Sequence, residues 1–146
     1  MKTEHRLKPV AKIAKSQERN AARVMGEMLQ HAEEQQTQLE MLKNYRREYF
    51  HNYLEVGKAG LSVVQMRDYQ VFLKRLDTAI VQQKQQVESC LQSCKQSQSD
   101  WQGRHNRKEM IDKVVEKRRL QSVQKQQSRQ QRELDDRSAI NFVSKL

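Results

Sequence analysis

Apolar side chains recur along this chain every three or four residues and almost never in runs. Met66, Tyr69, Leu73, Leu76, Ile80, Val87, Cys90, Cys94, Trp101, Ile111 and Val115 follow that spacing, with Gln83 and Ser97 as polar members. Val10, Ala14, Gln17, Ala21, Val24 and Met28 repeat it upstream, and Leu39, Leu42, Tyr49 and Tyr53 resume it after a shift of phase. Such spacing gathers the side chains on one stripe of an α-helix, the seam of a coiled coil. A stripe this narrow needs a second helix to cover it.

Turn signals are scarce. Pro9 is the only proline, and it stands where a first helical residue is tolerated. Gly57 and Gly60 are the only two glycines close together, and Ser62 follows as a helix cap. The pattern therefore predicts a first helix over about 10–56, a turn at 57–62, a second helix over about 63–137 and a tail at 138–146. All belong to one coiled-coil domain. The expected fold is all-α, a long antiparallel two-helix coiled-coil hairpin whose second helix is longer than the first. At 1.5 Å per residue the helices are roughly 70 and 110 Å long. Beyond Val115 the second has no partner within the chain.

Composition narrows the class further. Of 146 residues, 36% are hydrophobic and 32% charged. Leu, Ile, Val and Phe together number 31, too few for the thick core of a barrel, a sandwich or a doubly wound sheet. No apolar run approaches the roughly 18 residues of a membrane span. The opening residues lead into no apolar stretch, so no secretory leader is expected. Cys90 and Cys94, four apart on one helix, are poorly placed for a disulfide and read as reduced thiols of a cytosolic protein.

The formal charge of +10 is unevenly spread. Residues 1–23 carry net +5, residues 24–101 net −1 and residues 102–146 net +6. A hairpin would bring both basic segments to one end, where they would favour an acidic partner. A basic coiled-coil nucleic-acid binder or scaffold is the alternative. Against it, Trp101 is the only aromatic between Phe72 and Phe142, and no RRM, KH, finger or basic-zipper pattern is present. The preferred reading has protein partners and no nucleic acid.

Catalytic chemistry has no foothold. His5, His31, His51 and His105 lack a second ligand at a metal spacing and read as solvated. There is no Gly-rich phosphate loop and no nucleophile elbow. Glu33-Glu34 and Asp135-Asp136 are adjacent pairs that point to different sides of a helix. No catalytic residue, metal site or cofactor is expected, and the protein reads as non-enzymatic. Ser144-Lys145-Leu146 spells a peroxisomal address, read here as coincidence beside a pattern that spans the whole chain.

The seam leaves a surplus of apolar residues near the turn. Gln38, Leu42, Tyr45 and Tyr49 share one face of the first helix, and Phe72, Leu76, Ala79 and Gln83 have the same spacing on the second. Paired antiparallel as 38 with 83, 42 with 79, 45 with 76 and 49 with 72, the rows centre on the glycine turn. Either these rows are simply the seam, or they form an exposed protein-docking patch. Phe72 beside Leu73 favours the patch, because a two-stranded coil cannot bury both fully.

These residues also carry a resemblance. Ala21-Ala22-Arg23-Val24-Met25-Gly26-Glu27-Met28, then Gln38-Leu39-Glu40-Met41-Leu42-Lys43-Asn44-Tyr45 and Glu48-Tyr49, resemble the flagellar export FliJ family. So do Tyr69-Gln70-Val71-Phe72-Leu73-Lys74-Arg75-Leu76-Asp77-Thr78-Ala79-Ile80, the lone Trp101, and Gln131-Arg132-Glu133-Leu134-Asp135-Asp136-Arg137. The resemblance covers essentially the whole chain.

It implies a cytoplasmic component of the bacterial flagellar type III export apparatus, peripheral to the inner membrane at the export gate. Its termini would enter the export ATPase hexamer and promote its assembly and activity. Export chaperones and the cytoplasmic linker region of the membrane export gate protein would be its other partners, with no direct membrane insertion. Gln38, Leu42, Tyr45, Tyr49, Phe72, Leu76 and Ala79 match the family's binding patch, with Phe72 and Leu76 preferred for the gate. Gln83 stands where the family has His, which leaves its role open. The equivalent stalk of a virulence type III system is a further alternative.

Overall fold

The computed structural model describes residues 2–146, with side chains from His5 onward. Two helices account for nearly all of them, α1 (Lys2–Lys58) and α2 (Val63–Ser144). There is no strand among the described residues, and α2 is the longer helix at 82 residues against 57. This is the expected all-α helical hairpin.

Both helices outrun their expected bounds. α1 begins at Lys2 rather than near residue 10, and Pro9 lies inside it. Lys, Glu, Arg and Leu before Pro9 are good helix formers. The cost of Pro9 is one backbone bond, since it has no N–H to offer the carbonyl of His5. α2 continues to Ser144, taking in most of the expected tail, because nothing in 138–144 breaks a helix.

The turn forms where the glycines predicted it. Ala59 N–H donates to the Val56 carbonyl at 3.1 Å and Gly60 N–H to that of Gly57 at 3.2 Å, closing α1. Gly60 has φ +94°, a left-handed conformation that a side chain would strain. Ser62 then caps α2 reciprocally with Gln65. Gln65 N–H donates to Ser62 Oγ at 3.2 Å, and Ser62 N–H donates to Gln65 Oε1 at 3.1 Å. Two otherwise orphaned donors are satisfied by this capping box.

The chain divides into two compact units. The first is Ala21–Trp101, which contains the turn and pairs the adjoining halves of α1 and α2. Leu39, Ile80 and Val87 form its core, with Leu42 packed against them. Ala32, Leu73, Leu76, Cys90 and Ser97 are also buried. Both cysteines are free thiols. The seam on α2 follows the predicted 3-4 spacing closely, except that Met66 is exposed and burial begins at Tyr69. On α1 the seam passes through Ala32 and Gln35, between Met28 and Leu39. A small residue and a polar one leave no mark in a hydrophobic pattern.

The second unit comprises the chain up to Asn20 together with Gln102–Leu146. Ala14 is its buried residue, with Leu7, Ala11 and Gln17 half-buried on the same stripe. Val10, one step off that stripe, is exposed. Arg104 Nη1 donates to Gln17 Oε1 at 3.2 Å. His105 Nδ1 lies 3.5 Å from Glu18 Oε1. His105 is thus a half-buried seam residue, not the solvated histidine expected, because it stands one helical turn beyond Trp101 on the seam face. From Val123 onward every side chain of α2 is exposed.

Candidate docking patch

The patch lies in the unit that contains the turn. Tyr49 and Phe72 meet across the two helices with ring centroids 4.5 Å apart. Tyr45 adds an edge-on contact to Phe72 at 6.2 Å and 81°, and Tyr69 lies 5.2 Å from both Tyr49 and Tyr53. Tilted and edge-on arrangements at these distances are the favoured ones for aromatic rings. Burial holds the Tyr49 phenol above the usual tyrosine range, and the neighbouring Tyr69, Tyr45 and Asp68 act in the same direction.

One ion pair bridges the two helices beside this cluster. Arg46 Nε donates to Asp77 Oδ1, and Arg46 Nη2 to Asp77 Oδ2 at 3.4 Å. The same guanidinium sits 5.9 Å from the Phe50 ring centroid. Its hydrogen bond to Asp77 raises the Arg46 pKa above the ordinary arginine value.

The eight residues expected from the sequence are not equivalent. Tyr45 is 49% exposed and Gln38 is also exposed, while Leu42, Tyr49, Phe72 and Ala79 are half-buried. Leu76 is only 7% exposed and belongs to the seam. Gln83 faces the seam too. Its Nε2 donates to the carbonyl and to the side-chain oxygen of Gln35, both at 2.9 Å. The predicted pairing of 49 with 72 is realised as a ring contact. Gln83, however, reaches Gln35, one turn away from Gln38.

Two shallow depressions flank these rows. Gln38, Met41, Leu42, Asn44, Tyr45 and Glu48 line one of about 590 Å³ on α1. A second, of about 350 Å³, runs along α2 between Val71 and Gln82 and includes Ala79. The first is open and apolar, with Met41 65% exposed at its rim. Met41 is the patch residue that the sequence reading missed. Its signal was the i+3 spacing from Gln38, which shares a helix face as surely as the i+4 spacing that selected Leu42. The arrangement can receive an apolar side chain from a partner. Among the described residues no three His, Cys, Asp or Glu side chains converge as metal ligands.

The family model described as Flagellar FliJ protein matches residues 2–146. The chain belongs to this family. A curated relative, the Flagellar FliJ protein of Escherichia coli (strain K12), is 26% identical over 124 residues, covering 85% of this chain and 84% of its own. No solved structure matches the chain significantly. Family membership supports a role as a component of the flagellar export apparatus. Among the described residues no helix is long and apolar enough to cross a membrane.

Proposed function

We propose that this protein is a non-enzymatic, stalk-like coiled coil of the flagellar type III export apparatus. Its termini enter the ring of the export ATPase and promote assembly and activity of that ring. Its docking patch receives export chaperones and the linker region of the membrane export gate. It works on the cytoplasmic face of the inner membrane, held there through the gate.

The observation that carries the stalk reading is the long exposed end of α2. Leu134, Ile140, Phe142 and Val143 are all exposed on a continuous helix, within a segment, 102–146, of net charge +6. Apolar residues left open on a helix of this length gain packing surface inside a partner. The hydrolysis rate of the cognate export ATPase, measured with and without the protein, tests this directly. Stimulation accompanied by co-assembly is expected, and neither effect appearing would overturn the stalk reading.

The patch reading rests on Tyr45, Met41 and the depression they border. Tyr45 is its exposed aromatic anchor, backed by the half-buried Phe72, and aromatic anchors dominate protein interfaces. Pull-down of the gate linker region and of empty chaperones by Tyr45→Ala/Met41→Ala tests it. Binding equal to that of the unsubstituted protein would remove the patch from this role.

A further inference from the structure

The turn end of the hairpin differs from the rest of the molecular surface. Residues 49–66 hold only two formally charged side chains, Glu55 and Lys58, in a chain where 32% of residues are charged. Those two neutralise each other at 3.1 Å. The apex is apolar. Val63 is 75% exposed and Val64 70% exposed, and Leu54, Phe50 and Met66 are exposed behind them. Val63 and Val64 are adjacent on the first turn of α2, so the seam could not take both.

The side chains of this end are layered, with exposed aliphatic residues ahead of one exposed and three half-buried rings. Aliphatic side chains occupy the apex. Behind them Phe50, Tyr53, Tyr69 and Tyr49 form a chain of rings, with centroids 6.3 Å apart for Phe50–Tyr53 and 5.2 Å for each of Tyr53–Tyr69 and Tyr49–Tyr69. Unbalanced charge resumes only beyond residue 66. Six residues separate Val63 from Tyr69, about 9 Å along a helix. Interfacial segments bury their apolar face about 5–10 Å deep at the boundary of headgroups and acyl chains, and tyrosines gather at that level.

We infer that the turn end docks on a lipid bilayer surface. Val63, Val64 and Leu54 enter the acyl boundary, and the Tyr53–Tyr69 pair lies among the headgroups. The near-neutral charge of this end suits uncharged as well as anionic lipid. This is a shallow contact that spans nothing, and it departs from the sequence-based expectation of no direct insertion. It stands independently of the stalk and patch readings.

Flotation of the full chain with phosphatidylcholine vesicles, and with vesicles containing phosphatidylglycerol, tests the inference. Partitioning onto phosphatidylcholine should persist in about 0.5 M NaCl, where exposed charges are screened. Val63→Asp/Val64→Asp should lower it at least roughly tenfold, and Val63→Asn/Val64→Asn should lower it nearly as far, since apolar area drives the contact. Acidic residues are favourable in the first turn of a helix, so the Asp variant should keep its helicity. No uptake by phosphatidylcholine vesicles would overturn the inference. So would uptake that requires phosphatidylglycerol, vanishes in salt and ignores both double variants, a result that assigns lipid binding to the basic termini.

Discussion

Gln83 donates its side-chain amide across the seam to Gln35, reaching the carbonyl and the side-chain oxygen at 2.9 Å each. A polar pair inside an otherwise apolar stripe fixes one register at a cost in stability. Gln83→Leu should therefore raise the thermal midpoint, by the equivalent of about 1 kcal/mol, while broadening the species seen in sedimentation. Gln83→Ala should lower the midpoint without a direct loss of chaperone or gate binding. Paired melting and sedimentation runs check both.

Leu76 and Tyr45 separate packing from docking. Leu76→Ala should cost about 2 kcal/mol or more, because it opens a hole in the seam. Tyr45→Ala should leave the melt nearly unchanged and weaken partner binding. A Phe72→Ala/Leu76→Ala variant mixes the two effects and is the poorer probe. Circular-dichroism melts beside pull-downs resolve them.

The Arg46–Asp77 pair should be worth little on its own. Both side chains are well exposed, so a double-mutant cycle should return a coupling of about 0.5–1 kcal/mol, falling with added salt. Arg46→Ala should cost more than Asp77→Ala, since it also removes the contact with Phe50.

Tyr49 sets an alkaline limit. Its folded-state pKa is raised, first by burial, so the folded protein holds the phenol proton more tightly than the unfolded chain. The stability this contributes is intact below the ordinary tyrosine value of about 10 and is lost as pH rises through the folded value. A spectrophotometric titration should show a late-ionising phenol that disappears in Tyr49→Phe. The variant should also lose less stability above about pH 10.

The turn offers a local test. Ser62→Ala removes the capping box and should cost about 1 kcal/mol. Gly60→Ala should cost a similar amount, about 1 kcal/mol, from its left-handed backbone alone, since no side chain crowds the position. Urea titrations of the two variants should show additive effects only if cap and turn act independently.

Much of this molecule is local and therefore legible. The 3-4 spacing of Leu73, Leu76, Ile80, Val87, Cys90 and Cys94 determined a helix and its inner face, because one helix turn fixes which residues share a side. Gly57, Gly60 and Ser62 determined the turn, because backbone conformation and capping depend on a few adjacent residues. The excess of charge toward both termini could be read directly.

The tertiary structure alone decided what each face meets. It joined Gln83 to Gln35 and left Met41 and Tyr45 outside. It filled the seam at Ala32 and Gln35, and it brought His105 to Glu18. Burial at those positions is a property of two helices together. It depends on their register and rotation about each other, and a pattern along either helix alone holds neither quantity.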